Sequence, residues 1–222
     1  MLPDGRPLTK VARARYFCGM TPRQLDLLAV VGCVTCWGAV SLAWLGGAIY
    51  YDKQDPGERT RVRWFGSSVG TGAVIVTAIS VAVPRAVWRS LMFYQPWLRI
   101  LGLVLLLAAT VLTIWARLAL GAMWSAAPTV KAEHRLRTGG PYRITRHPIY
   151  TGMLGMLLGT LLLAGGGRWL VPFPVFLVLL EIKIHIEERL MLAEFPDDYP
   201  RYRRQVPQLV PGLHLAGRHR VA

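Results

Sequence analysis

The stretch Gly139-Gly140-Pro141-Tyr142-Arg143-Ile144-Thr145-Arg146-His147-Pro148-Ile149-Tyr150 is the densest polar and aromatic segment of an otherwise apolar chain. His134-Arg135-Leu136-Arg137 precedes it, and from Ile149 to Ala164 the sequence turns apolar. Gly139, Gly140 and Pro141 mark a turn. Pro148 suits the first turn of a helix, where its missing N–H goes unpaired in any case. Arg146, His147 and Tyr150 are therefore expected at the mouth of a membrane helix. A second polar cluster, Glu187-Glu188, closes the next apolar segment. The rest of the chain reads as a scaffold that brings the two clusters together.

Composition supports the membrane reading. The 222 residues are 53% hydrophobic and 17% charged, with a mean hydropathy of +0.37. That is too apolar for an ordinary soluble domain, and the apolar residues fall in long runs. The formal charge of +14 raises the question of nucleic acid. The arginines sit between apolar runs, as juxtamembrane residues do, so the expected partner is the lipid bilayer and not nucleic acid. Cys18, Cys33 and Cys36 give no disulfide framework. Cys33-x-x-Cys36 lies inside an apolar run and reads as two small helix residues, not as a metal or redox site. The first apolar run is too long for a signal-peptide core and has no persuasive cleavage pattern, so it reads as a span.

The fold expected is all-α, an integral membrane bundle of about five transmembrane helices. Residues 1–24 are a basic segment, read as lying on the membrane surface. Spans follow at 25–51, 64–83 and 97–120, with Gly66-x-x-x-Gly70 suited to close helix packing in the second. Arg99 and Arg117 stand near the ends of the third, where long side chains can snorkel to water. Residues 84–96 read as a connector. The fourth helix runs from Pro148 to Ala164 and carries Gly155-x-x-x-Gly159; Gly165-Gly166-Gly167 is a turn; the fifth runs from Trp169 to about Phe195. From Ile149 to Ala164 the chain reaches about 24 Å at ~1.5 Å per residue, against a hydrocarbon core of ~30 Å. These last two helices are expected to form a short hairpin, spanning a thinned region or re-entrant. In either case a hairpin returns to the side it left, which puts Arg146-His147 and Glu187-Glu188 at one membrane face.

The Lys and Arg count favours a cytoplasmic face for these clusters. The first loop, the third loop and the tail are rich in Arg; the opposite side holds Arg85, Arg89, Arg168 and the basic N-terminus, which argues the other way. On an ideal helix Glu181, His185 and Glu188 share a stripe, while Lys183 and Glu187 pair at i,i+4 spacing on roughly the opposite side. Ionisable residues near membrane depth face a cavity or a partner. His134, Arg146 or His147 alone would read as structural; together the cation, imidazoles, tyrosines and carboxylates converge on one place. No Gly-x-Gly-x-x-Gly follows a strand, and Gly-x-x-x-x-Gly-Lys and His-Glu-x-x-His are absent, so neither a Rossmann site nor a metal centre is expected.

At these residues the chain resembles a known family. The run His134-x-Leu136-x-x-x-Gly140-Pro141-Tyr142-x-x-x-Arg146-His147-Pro148-x-Tyr150-x-Gly152 is similar to the signature of the isoprenylcysteine carboxyl methyltransferases. Glu187-Glu188-x-Leu190, Phe195, Tyr199-x-x-Tyr202-x-x-x-Val206 and Pro211 resemble its C-terminal signature. The likeness covers about residues 130–212. Pro196 departs from it, since the family usually has Gly after the Phe.

The resemblance implies a membrane methyltransferase using S-adenosylmethionine without a Rossmann fold. By the same likeness, 123–212 is the catalytic region, 25–122 a three-helix scaffold and 213–222 a basic tail. The cofactor-binding residues it implies are His134, Leu136, Gly140, Tyr142, Arg146, His147, Pro148, Tyr150, Glu187 and Glu188. Arg146, His147 and Glu188 are the expected catalytic residues. A lipophilic acceptor would enter sideways between helices; related branches methylate small thiols or, more distantly, phospholipid amines. Methyl transfer discharges the sulfonium, so a carboxylate against the sulfur would favour the ground state. Glu187 and Glu188 are thus assigned to the amino group or ribose hydroxyls, or to fixing Arg146. Arg146 suits a bidentate carboxylate of cofactor or acceptor. A carboxylate acceptor needs no base; for a thiol or amine, His147 or His134 is the candidate. The competing readings are a nicotinamide-dependent membrane reductase and a non-catalytic transporter or lipid-binding protein. Arginine outnumbers lysine and Ala, Gly and Val abound, which points to a GC-rich bacterial genome, an inner-membrane location and an acceptor other than isoprenylcysteine.

Overall fold

The computed structural model describes residues 22–51, 58–61, 74–93, 95–124, 129–131 and 136–212. The chain forms helix α1 (Pro22–Tyr51), strand β1 (Glu58–Arg61), a helical stretch at 74–82, and helices α2 (Arg85–Ser90) and α3 (Pro96–Leu120). Strand β2 (Thr129–Lys131) and helices α4 (Pro148–Ala164), α5 (Pro172–Glu194) and α6 (Asp198–Gln205) follow, with single 3-10 turns at Gly140–Arg143 and Gly167–Leu170. The segments 1–21 and 213–222, the first half of the expected second span with its Gly66 and Gly70, and His134 lie outside the described residues.

Among the described residues, three helical stretches are apolar and long enough to cross a membrane: Arg23–Tyr50, Pro96–Met123 and Gly167–Glu194. Helix α4, with 17 residues, is the shorter apolar one. The fifth segment is therefore not short, as the hairpin reading had it; the shortness belongs to α4 alone. Lipid-facing side chains are apolar and exposed along each long helix, among them Val34 and Leu42 on α1, Val111 on α3 and Val178 on α5.

Small residues set the packing of α3 on α4. A Cβ on Gly102 would stand 2.5 Å from the Leu163 nitrogen and 2.8 Å from the Gly159 oxygen. One on Gly159 would stand 2.7 Å from the Leu106 nitrogen. The two backbones thus touch in antiparallel register, and Gly155-x-x-x-Gly159 does what small-residue spacing does in membranes. Leu106, Ala109, Met156 and Leu163 fill this seam, and α1 covers it with Ala29, Cys36 and Val40. Cys33 and Cys36 are free thiols of α1, Cys36 within that core. Trp37 Nε1 donates to Thr160 Oγ1 at 3.1 Å, tying α1 to α4.

Arg99 and Arg117 correct the snorkelling expectation, because both point inward. Arg99 is buried and donates to Leu163 O at 2.9 Å and to Asp26 Oδ1 at 2.8 Å. Arg117, 2% exposed, lies 4.7 Å from the Trp124 ring centroid and 5.9 Å from that of Trp44. A guanidinium stays inside where carbonyls, a carboxylate or aromatic faces replace its water. These contacts join the N-terminal ends of α1 and α3 to each other and likewise their C-terminal ends, so the two helices run parallel.

Two local features were not expected. The connector 84–96 holds α2, started by Pro84. The loops after α1 and α3 pair as a two-stranded antiparallel ribbon, with Glu58 opposite Lys131 and Arg61 opposite Thr129. Among the described residues the otherwise helical fold thus carries one small sheet.

Candidate active site

The site forms where α4 begins and α5 ends. Pro148 occupies the first turn of α4, and Gly140 at φ +59° turns the chain into the 3-10 turn before it. Downstream of α6 the chain runs back across this mouth. Arg146 N–H donates to Pro207 O at 2.8 Å, His147 N–H to Gln208 O at 3.2 Å, and Thr151 Oγ1 to Leu209 O at 2.7 Å. Pro196 is accommodated in the turn before α6, and Tyr199 N–H still reaches Phe195 O at 3.1 Å.

Arg146 is the hub. Its Nε and Nη2 both reach Glu188 Oε1, at 3.0 and 2.7 Å, and its Nη1 donates to Val206 O at 2.6 Å and Arg203 O at 3.1 Å. Three elements, the α4 mouth, α5 and the segment after α6, are held by one guanidinium. Glu188 Oε2 lies 3.4 Å from Arg203 Nε. Arg146 and Glu188 are 8% and 9% exposed, so each offsets a buried charge that would be costly alone.

Glu187 belongs to a second, more open group. Tyr150 Oη donates to its Oε1 at 2.6 Å, and Lys183 Nζ stands 3.0 Å from the same oxygen. His147 stacks on Tyr150 with ring centroids 5.6 Å apart and planes 11° from parallel. Its Nε2 lies 3.5 Å from Glu188 Oε1 and its Nδ1 3.7 Å from Glu187 Oε2. Nε2 is buried and makes no hydrogen bond of sound geometry, although Glu188 stands within ion-pair distance of it. Tyr202 Oη donates to Tyr142 O at 2.6 Å. Burial, first, and then the Glu187 charge push the Tyr142 hydroxyl above its ordinary pKa; burial does the same for Tyr199 and Tyr202. All three phenols stay protonated at neutral pH, and Tyr142 Oη donates to Ala116 O at 3.4 Å.

These groups surround a cavity of about 140 Å³. Its polar wall is Tyr142, Arg146, His147, Tyr150 and Glu187; its apolar wall is Leu120, Met123, Trp124, Ile149 and Met191. Leu136, Arg137, Pro148, Tyr199 and Tyr202 complete it. Of the residues singled out in the sequence, Leu136, Tyr142, Arg146, His147, Pro148, Tyr150 and Glu187 reach the cavity. Glu188 stands behind Arg146, and Gly140 is exposed, its nearest neighbour being the Trp115 ring. Glu181 and His185, expected in one stripe with Glu188, are exposed where Glu188 is buried. Lys183, expected opposite Glu188, instead shares its inward face with Glu187 and Glu188.

Sequence reading passed over Arg203, Trp124 and Met191. Arg203 is one of several arginines after Tyr199 and nothing distinguishes it. Trp124 could have been found as the aromatic closing the third span, where such residues cluster.

Fold and site together define a helical membrane protein with a polar, aromatic-walled cavity at one end of its bundle. Residues 97–198 match the family described as PEMT, phospholipid methyltransferase. This region, somewhat under half of the chain, is thus similar to membrane methyltransferases of that family and to isoprenylcysteine carboxyl methyltransferases. It is 35% identical over 80 residues to a protein-S-isoprenylcysteine O-methyltransferase of Schizosaccharomyces pombe, covering 36% of this chain and 34% of that one. It is 28% identical over 153 residues to the cobalt-zinc-cadmium resistance protein CzcN of Cupriavidus metallidurans, covering 66% and 65%. It is 36% identical over 77 residues to methanethiol S-methyltransferase 2 of Bradyrhizobium diazoefficiens, covering 35% and 29%. The matches thus span from under a third to just under two thirds of these relatives. The solved eukaryotic intramembrane Ras methyltransferase ICMT shares the fold at TM-score 0.51 and 21% identity, over 86% of this chain and 75% of that one.

Proposed function

We propose that the chain transfers a methyl group from S-adenosylmethionine to a lipophilic or small acceptor bearing a carboxylate or a thiol. The observation that carries this reading is the junction of the two polar clusters. Arg146–Glu188 and Tyr150–Glu187 close one cavity whose opposite wall is apolar. The names of the relatives supply the acceptor classes: an isoprenylcysteine in one and methanethiol in another.

The donor set fits the cofactor. Glu187 offers a carboxylate to a cationic amino group or to ribose hydroxyls, and the ring faces of Tyr142, Tyr150 and Tyr199 suit an adenine or a sulfonium. When bound, the cofactor supplies an activated methyl on a positively charged sulfur. Leu136, Pro148 and His134 join this group as proposed cofactor contacts, with Gly140 shaping the turn. Arg146 has four of its five N–H donors engaged within the protein. It is proposed to act by fixing the site, with Glu188 as its anchor, and not by grasping an acceptor carboxylate. His147 Nε2, buried and without a hydrogen bond, is the proposed proton acceptor for a thiol. Leu120, Met123, Trp124 and Met191 form the wall against which a lipophilic acceptor packs, and their exclusion of water leaves the nucleophile poorly solvated. Residues 123–212 act as the catalytic region on the 25–122 scaffold, facing the cytoplasm from an inner membrane.

Calorimetric titration of the purified protein with S-adenosylhomocysteine and with NADPH tests the proposal. Saturable binding of the first and none of the second is expected. The converse would turn the reading toward a nicotinamide-dependent reductase.

A further inference from the structure

A second cavity lies at the far end of the α4–α5 hairpin, about 25 Å from the candidate active site by the length of α4. It measures about 320 Å³, and Arg85, Arg89, Arg168, Trp88, Trp169 and Met92 wall it. The hairpin tip beneath it is fixed to the chain after α2. Phe93 N–H donates to Gly165 O at 2.9 Å, Gly167 N–H to Leu91 O at 3.3 Å, and Met92 bridges Gly166. Gly165 and Gly166 have φ of +80° and +84°, and a Cβ on either would stand 2.8 Å from a carbonyl oxygen of that chain. The floor of the cavity is therefore backbone that glycine alone permits.

Among the described residues, the charge here is uncompensated. Arg85 and Arg89 are one turn apart on α2, and Arg168 follows the tip. Like charges at this spacing repel. The ion pairs among the described residues are made by Arg99, Arg146, His147, Lys183 and Arg203, none of them here. Trp88 adds a second, independent sign. It is 8% exposed, and its Nε1–H is buried with no acceptor. A buried donor without a partner, beside three guanidinium groups, calls for an anion.

We propose that this cavity binds the phosphate of an anionic phospholipid headgroup. Guanidinium forks match phosphate oxygens, and the Trp88 N–H supplies a further donor. Position favours a lipid source. The cavity sits where apolar helices end, and exposed Trp169 stands in its wall, an aromatic of the kind that the headgroup layer favours. Basic pockets between membrane helices recognise anionic headgroups in this way. The inference is independent of the methyltransferase reading.

Native mass spectrometry of the full chain in neutral detergent, with phosphatidylglycerol or phosphatidylcholine added, provides the test. Preferential retention of phosphatidylglycerol is expected. Combined Arg85→Gln, Arg89→Gln and Arg168→Gln should weaken it about tenfold or more, as should loss of any strong charge-assisted contact. Trp88→Phe keeps the packing and should weaken it several-fold, while Arg201→Gln, exposed at the other end, should not. Arg168→Gln alone, at an exposed position, serves if the combined variant does not fold. Equal retention of the two lipids, or retention unchanged in the arginine variants and Trp88→Phe, overturns the proposal. Displacement of the lipid by an equal concentration of inorganic phosphate overturns the lipid assignment in favour of a free anion.

Discussion

Arg146 and Glu188 meet through a single carboxylate oxygen: Nε and Nη2 of the arginine lie 3.0 and 2.7 Å from Oε1 of the glutamate. The remaining nitrogen of the guanidinium is spent on the carbonyls of Arg203 and Val206. The pair is thus a three-way clamp between the α4 mouth, the end of α5 and the chain that follows α6.

Breaking that clamp should cost stability as well as activity. Removing one partner of a buried pair strands the other charge, at about 3–5 kcal/mol. Arg146→Ala and Glu188→Gln should each lower the unfolding midpoint and abolish most methyl transfer. The double variant should be little worse than either single, since residues acting as a unit are strongly non-additive. Arg146→Lys should fail too, because an ammonium cannot reach Glu188 and two carbonyls together. Simple additivity in thermal unfolding and turnover would remove the pair from the centre of the site.

Tyr150→Phe keeps the stack on His147 and removes only the hydrogen bond to Glu187. A hydrogen bond to a charged group contributes about 1.5–3 kcal/mol, so affinity for S-adenosylhomocysteine should fall by about tenfold or more. Glu187→Gln should do the same while leaving the unfolding midpoint closer to wild type than Glu188→Gln does. Titration calorimetry on the two variants checks both statements, and equal affinity for all three proteins would take Glu187 out of the pocket.

Helix packing gives a contrast within one residue type. Gly159→Ala forces a methyl against the backbone of Leu106, whereas Gly38→Ala in α1 meets nothing within 4 Å. The first should destabilise by about 1–3 kcal/mol. The second should be neutral or slightly stabilising, by the helix preference of Ala. Thermal unfolding in detergent reads the difference, and equal midpoints would contradict the close α3–α4 seam.

Single cysteines at Thr138, Asp198 and Arg168 test topology. Thr138 and Asp198 are exposed at the active-site end and Arg168 is exposed at the hairpin tip. An impermeant thiol reagent should label the first two from one side of the membrane and the third from the other. Opposite sidedness of 138 and 198 would dismantle the two-cluster site.

The meeting of Arg146 with Glu188 was legible because it needs only a hairpin, and Pro148, the triple glycine and two apolar runs specify one. The other half of the clamp was not. Its acceptors are the carbonyls of Arg203 and Val206, and a backbone carbonyl leaves no mark in a sequence. Periodicity puts Glu181 and His185 at the azimuth of Glu188, but they sit up to two turns nearer the start of α5, where they are exposed. Lys183 was placed opposite Glu188 because an ideal stripe is narrower than the face α5 buries. The ribbon pairs Glu-Arg-Thr-Arg with Thr-Val-Lys, neither with the alternation of a half-buried strand, so its origin is the proximity of two loops and not local preference. Arg99 and Arg117 look like interfacial anchors until Asp26, Trp44 and Trp124 are seen to enclose them.

Transfer of a labelled methyl group from S-adenosylmethionine to a lipophilic thiol or carboxylate, by the protein reconstituted in lipid, tests the proposed function most directly. The wild-type chain is expected to label the acceptor, Tyr150→Phe to do so with weakened cofactor affinity, and Arg146→Ala to leave it unlabelled. Labelling that persists at the wild-type rate in Arg146→Ala, or saturable NADPH binding with no methyl transfer to either acceptor class, would contradict the assignment.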